Sequence, residues 1–166
     1  MKFDAEDLID SIKEIMTDGG ALNLAIAAVE AEKVAKGKGL DPTLKAVAAD
    51  AYFPQTWDDK IRNISPAIFY GIEDVQSVDG GGPVAKTYRV FVEVVFADSL
   101  ILADGWKRVA RYSRALEDLF SATLGGVQGF AKIQIEQVRP ISFKLALDSS
   151  DEVKVGGISI NLTLVG

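Results

Sequence analysis

Hydrophobic residues in this chain follow two periodicities, and the change between them marks its main division. In the first forty residues the spacing is helical. Leu8, Ile9, Ile12, Ile15 and Met16 recur at i, i+3, i+4 and i+7, which predicts a helix over Asp4 to Thr17 with one apolar face. Asp4 stands where a capping side chain belongs. Asp18-Gly19-Gly20 breaks the pattern. A second, alanine-rich helix is predicted from Ala21 to about Lys36, with Leu24, Ala28 and Val29 on one side and a stop at Gly37-Lys38-Gly39, where glycine accepts the left-handed geometry that ends helices.

From Leu40 to Pro66 no period holds. This stretch carries Pro42, Pro54 and Pro66, with Tyr52, Phe53 and Trp57 clustered inside it. Connections longer than ~12–15 residues are uncommon unless they bind something, so either a binding loop or an embedded short strand or helical turn is expected.

Beyond Pro66 the period becomes two. Ile68, Tyr70 and Ile72 alternate with Phe69, Gly71 and Glu73, predicting a strand that continues to about Ser77. Asp79-Gly80-Gly81-Gly82-Pro83 supplies a turn. Tyr88, Val90, Val92, Val94 and Phe96 form the apolar side of a long second strand. A helix is predicted over about Gly105 to Leu124, capped by Asp104 and stopped by Gly125-Gly126. Trp106, Val109, Ala110, Ser113, Leu116 and Phe120 are its expected buried side, and Lys107, Arg108, Arg111 and Arg114 the opposite arc. Three closing strands follow, marked by Ile133 and Ile135, by Ile141, Phe143, Leu145 and Leu147, and by Ile158, Ile160, Leu162 and Leu164. The intervening positions are mostly polar, which indicates one dry face and one wetter face.

This order predicts an α+β fold: a two-layer sandwich with a mostly antiparallel sheet of about five strands and the helices packed on one face. The wetter face is either solvated or packed on a neighbour. At 166 residues the chain suits one domain, with no internal repeat. Nearly half of the residues are hydrophobic and a quarter charged, so the composition is that of an ordinary globular protein. No apolar run reaches the ~20 residues of a membrane span, and the acidic, amphipathic N-terminus reads as neither a signal nor a transit peptide. A protein kept in the cytosol where it is made, without membrane contact, is the expectation.

Cysteine and histidine are both absent. Disulfides, thiolate catalysis and thiolate metal sites are thereby excluded, together with the usual general base and the Ser-His-Asp triad. A formal charge of −6 disfavours wrapping nucleic acid across the surface. It is compatible with a protein that stays close to DNA without sticking to it.

Gly80-Gly81-Gly82 lacks the Lys-Ser/Thr pair of a phosphate-binding loop and leads into a strand, so it reads as a hairpin turn. Gly125-Gly126-Val127-Gln128-Gly129 runs from helix to strand, the reverse of the dinucleotide arrangement. The pairs Asp58-Asp59, Glu73-Asp74, Glu117-Asp118 and Asp151-Glu152 sit at adjacent positions, which diverge in helices and strands, and read as solvated charge. No catalytic, cofactor-binding or metal-binding residue is therefore assigned, and the chain is read as a non-enzyme. Two groups are candidate partner contacts. Arg108, Arg111 and Arg114 lie early in their helix, where the helix dipole disfavours cations, so a carboxylate on another subunit would offset the misfit, as would plain solvation. Phosphate contact is a third reading for this helix. Tyr52, Phe53 and Trp57 serve either as interface anchors or as a closure of the core.

The sequence resembles the tail-terminator and related neck (head-tail joining) proteins of tailed bacteriophages. The resemblance rests on the short N-terminal helix, the segment Leu22-Asn23-Leu24-Ala25-Ile26-Ala27-Ala28-Val29-Glu30-Ala31-Glu32-Lys33 and the aromatic, proline-bearing connection to Ile68-Phe69-Tyr70-Gly71-Ile72. The strand from Tyr88 to Phe96, the amphipathic helix and the closing strands complete it. It implies a structural virion protein, made in the host cytoplasm. The subunits would form a homo-oligomeric ring, usually a hexamer, at the head-proximal end of the tail tube, ending tube growth and joining tail to neck. Its partners would be copies of itself, the tail-tube protein and a neck or adaptor protein, with DNA passing through the lumen without specific binding. Two alternatives stay open. One is a head-completion, adaptor or tail-tube subunit. The other, of a different class, is a small-ligand-binding α+β domain.

Overall fold

The computed structural model describes residues 4–40, 43–55, 66–78, 85–97, 102–122, 133–145 and 153–164. Helix α1 (Ala5–Thr17) starts at a capping box: Asp4 accepts from the Glu6 and Asp7 amides, and Asp7 accepts from the Asp4 amide at 2.9 Å. Its inner face is Leu8, Ile12, Ile15 and Met16, as the spacing predicts. One 3-10 turn over Asp18–Gly20 links it to α2 (Ala21–Ala35), and both glycines there hold positive φ.

The inner face of α2 differs from the expected one. Leu22, Ile26 and Val29 are buried, whereas Leu24 is 67% exposed and Ala28 also faces solvent. Alanines and leucines surround this helix, so several apolar faces are equally available, and packing against α1 and α3 selects one of them.

Strands β1 (Tyr52–Phe53), β2 (Ala67–Val78), β3 (Ala85–Ala97), β4 (Ile133–Leu145) and β5 (Val153–Leu164) form one sheet in the order β1-β2-β3-β5-β4. β1 pairs parallel to β2, and every other pair is antiparallel. Helix α3 (Leu102–Ser121) crosses between β3 and β4 and packs on β3, β4 and β5. The α+β sandwich with its helices on one face is thus as predicted, and of the contents left open for the long connection it holds a short strand, β1.

Two expected strands, around Ile133–Ile135 and from Ile141, are one continuous β4. Pro140 sits within it without ending it, because β4 is an edge strand, where a proline need not donate to a neighbour. Register shifts between Ile135 and Gln137 and between Ile141 and Lys144 explain why its alternation is irregular. Helix α3 begins at Leu102, so Asp104 lies in its first turn rather than capping it. Leu102 and Ala103 are better helix formers than the cap reading allowed. The turn at 79–83, the helix stop at Gly125-Gly126, Trp57, Asp58-Asp59, Leu147 and Asp151-Glu152 lie outside the described residues.

The main core lies between sheet and helices, with Tyr70, Tyr88, Val90, Val92, Ile158 and Ile160 from the strands meeting Leu8, Met16, Leu116 and Phe120. A second, smaller cluster occupies the opposite sheet face, where Ala67, Phe69, Val95 and Val155 are buried with Phe53 and Phe91 against them. The outer face is therefore divided along the strands, one end dry and the other polar. Among the described residues no helix is long and apolar enough to cross a membrane.

Candidate functional site

Helix α3 has two neighbours, the sheet below and α2 beside it, and this double contact determines where its basic residues go. Arg108 and Arg111 are 2% and 6% exposed, which corrects the reading of 107, 108, 111 and 114 as one exposed arc. Only Lys107 of the four is fully at the surface, with Arg114 half-buried. Trp106 and Ala110, expected inside, are half-buried, and Tyr112 takes an inner position that a single apolar stripe did not assign. A helix covered on two sides buries an arc too wide for the one-face rule.

The carboxylates that answer Arg111 and Arg114 come from α2 of the same chain. Arg111 Nη1 donates to Glu30 Oε2 at 2.8 Å, with side-chain exposures of 7% and 13%. Its Nη2 donates to the Lys38 carbonyl just beyond the end of α2. Arg114 donates through both terminal nitrogens to Glu32, at 3.3 and 2.8 Å, and lies 3.5 Å from Asp118. Glu32 also accepts from Lys36. These donors, Lys36 first and Arg114 next, hold the Glu32 carboxyl down at about 2. Glu30 Oε1 and Ser113 Oγ are buried without a hydrogen-bond partner among the described residues.

Two further side chains pin the long connection. The Tyr112 hydroxyl donates to the Lys45 carbonyl and accepts from its amide, both at 2.8 Å. Asn23 closes the same kind of two-bond ring with Val47, at 2.8 and 3.1 Å. Val47, Ala51 and Tyr52 are consequently core residues. Phe53 stacks on Phe69 with centroids 5.2 Å apart, on the other side of the sheet. Of the aromatic trio, then, Tyr52 closes the main core and Phe53 the smaller cluster. Tyr112 was legible as an i+3 neighbour of Val109, but nothing in the sequence singles out Asn23.

The polar end of the outer sheet face is concave, with converging polar groups. Arg89 of β3, Ser159 and Asn161 of β5, Arg139 of β4 and Glu73 of β2 line a trough of about 230 Å³. It runs into a smaller hollow bounded by Asp74, Gln76 and Thr87. Strand pairing brings these groups together: Arg89 is opposite Asn161, and Arg139 is opposite Ser159. Both arginines are exposed, and among the described residues no ion pair engages either one. The glutamate-aspartate pair expected to be solvated is exposed here, with Asp74 accepting from Gln76 at 3.2 Å. No group of three or more carboxylates suited to a metal ion occurs among the described residues. Chemically, the trough offers two guanidiniums, a hydroxyl and an amide to a carboxylate or other anionic group, with negative charge along its β2 rim.

No family model matches this chain, and no curated protein matches it.

Proposed function

We propose that this chain is a structural virion protein of a tailed bacteriophage, forming a homo-oligomeric ring at the head-proximal end of the tail tube. In that place it ends tube polymerisation and joins tail to neck. The observation that carries the reading is the order of elements with its quoted segments: a short helix, the alanine-rich helix, the aromatic connection, two long strands, the amphipathic helix and the closing strands. A closed ring needs two different surfaces on each subunit that fit one another after a rotation. The open polar trough and the acidic outer side of α1 are two such surfaces. A net charge of −6 also suits a lumen through which DNA slides without being held.

The experiment is to mix the purified protein with assembled tail tubes and image them by negative stain. Rings seated on one end of each tube, with tube growth stopped, are the expected result. Filaments of the protein alone would favour a tail-tube subunit instead, and tubes that elongate with bare ends would overturn the reading. A small-ligand domain has a foothold in the trough, but its volume of about 230 Å³ is below the ~300–1,000 Å³ usual for such sites.

A further inference from the structure

The polar trough and helix α1 carry matched charge patterns. Arg89 and Arg139 stand on the two strands flanking β5, opposite Asn161 and Ser159. Two strand spacings of ~4.8 Å across and two residues of ~3.4 Å along place their Cα atoms roughly 12 Å apart. On α1, Glu6 and Glu14 are exposed, separated by eight residues, which at ~1.5 Å per residue is again roughly 12 Å. From Asp4 to Asp18 this segment carries six carboxylates against the single lysine Lys13. Among the described residues, Glu6 and Glu14 make no ion pair, as is true of the two arginines.

Resting on the ring reading above, we infer that the trough of one subunit receives helix α1 of the next, with Arg89 and Arg139 pairing with Glu6 and Glu14 of the incoming helix. Ser159 and Asn161 lie between the two cations and supply neutral hydrogen bonds beneath the helix. Glu73 and Asp74 on the β2 rim would repel a uniformly acidic helix. Lys13, exposed between Asp10 and Glu14, is the group that answers them and sets the orientation. The two surfaces lie on opposite layers of the sandwich, so the contact is head-to-tail, the kind that generates rings or filaments rather than isolated pairs. Charge pairs in such an exposed position are screened by salt, so the contact weakens as ionic strength rises.

The test is sedimentation velocity at low salt over a range of concentrations. Two double variants are compared with wild type: Arg89→Glu with Arg139→Glu, and Glu6→Lys with Glu14→Lys. All four positions are exposed, so both variants are expected to fold, which circular dichroism checks. Wild type should associate in a salt-dependent manner, and each double variant alone should associate at least about tenfold more weakly. Mixing the two variants should restore association, because each then meets a complementary surface. A wild type that stays monomeric, reversals without effect or a mixture that fails to recover would each overturn this contact. As a second readout, Glu14→Cys combined with Ser159→Cys in this cysteine-free chain should give a ladder of disulfide-linked oligomers on oxidation. Association that survives both reversals would remove this contact and leave the ring reading standing. Salt-sensitive association without rings on tube ends would do the opposite.

Discussion

Arg111 and Glu30 pair at 2.8 Å across the seam between α3 and α2, and both side chains are nearly removed from water. The second guanidinium nitrogen of Arg111 holds the Lys38 carbonyl, so one residue ties together both helices and the start of the long connection. Breaking a buried pair from one side leaves a charge without compensation, at about 3–5 kcal/mol. Replacing both members by apolar groups of similar size is far less costly.

Arg111→Met or Glu30→Leu alone is therefore expected to destabilise the protein by about 3–5 kcal/mol in urea unfolding, and the double variant by much less. A double variant as unstable as the sum of the two singles would show that the pair itself is not the source of the loss.

Tyr112 and Tyr70 make the protein sensitive to alkali. Burial pushes the Tyr112 phenol well above its usual value, against the opposing effect of its backbone bond to Lys45. Burial, and after it the negative charge of Asp10, lifts Tyr70 to about 12. Folded values above the unfolded ~10 mean that this stabilisation is complete below pH ~10 and is lost as the pH climbs through the folded values. Tyrosinate absorbance should rise together with loss of the fold above that point, and a titration completed near pH 10 with the fold intact would refute it. Separately, Tyr112→Phe leaves the Lys45 amide and carbonyl without their partner and should cost about 1–3 kcal/mol.

Leu22 and Leu24 are two residues apart on α2 yet face opposite environments, at 1% and 67% exposure. Leu22→Ala should cost about 2–5 kcal/mol. Leu24→Gln should stay within roughly 0.5 kcal/mol of wild type. Equal losses at the two positions would mean that α2 is rotated from the orientation described.

At Gly157 the backbone itself forbids a side chain. Its φ is +147°, and a Cβ there would lie inside contact distance of the Val92 carbonyl oxygen and 2.8 Å from Glu93 Cα. Gly157→Ala is expected to lower stability by more than about 3 kcal/mol, since strained backbone and overlap act together. Gly71→Ala meets only the Phe91 ring, at 3.0 Å, and should cost less. Similar thermal shifts for both would contradict the β3–β5 approach.

The helical and strand periods, the cap at Asp4 and the alternation of β2, β3 and β5 were all legible along the chain, because each depends on neighbours within a few residues. That locality is why the fold class follows from sequence alone. Other features depend on which elements come to lie side by side. The expected break between Ile135 and Ile141 disappears only once β4 is seen to pair along its length with β5. Arg111 and Arg114 read as partner contacts or solvated charge until α2 covers the flank of α3 and brings Glu30 and Glu32 opposite them. The division of the outer sheet face into a dry end and a polar trough likewise needs the register of β2, β3, β5 and β4. Arg89 and Arg139 are fifty residues apart and acquire a common partner only through β5. Local chemistry sets the period of an element; burial is a property of its neighbours, and only the assembled sandwich decides those.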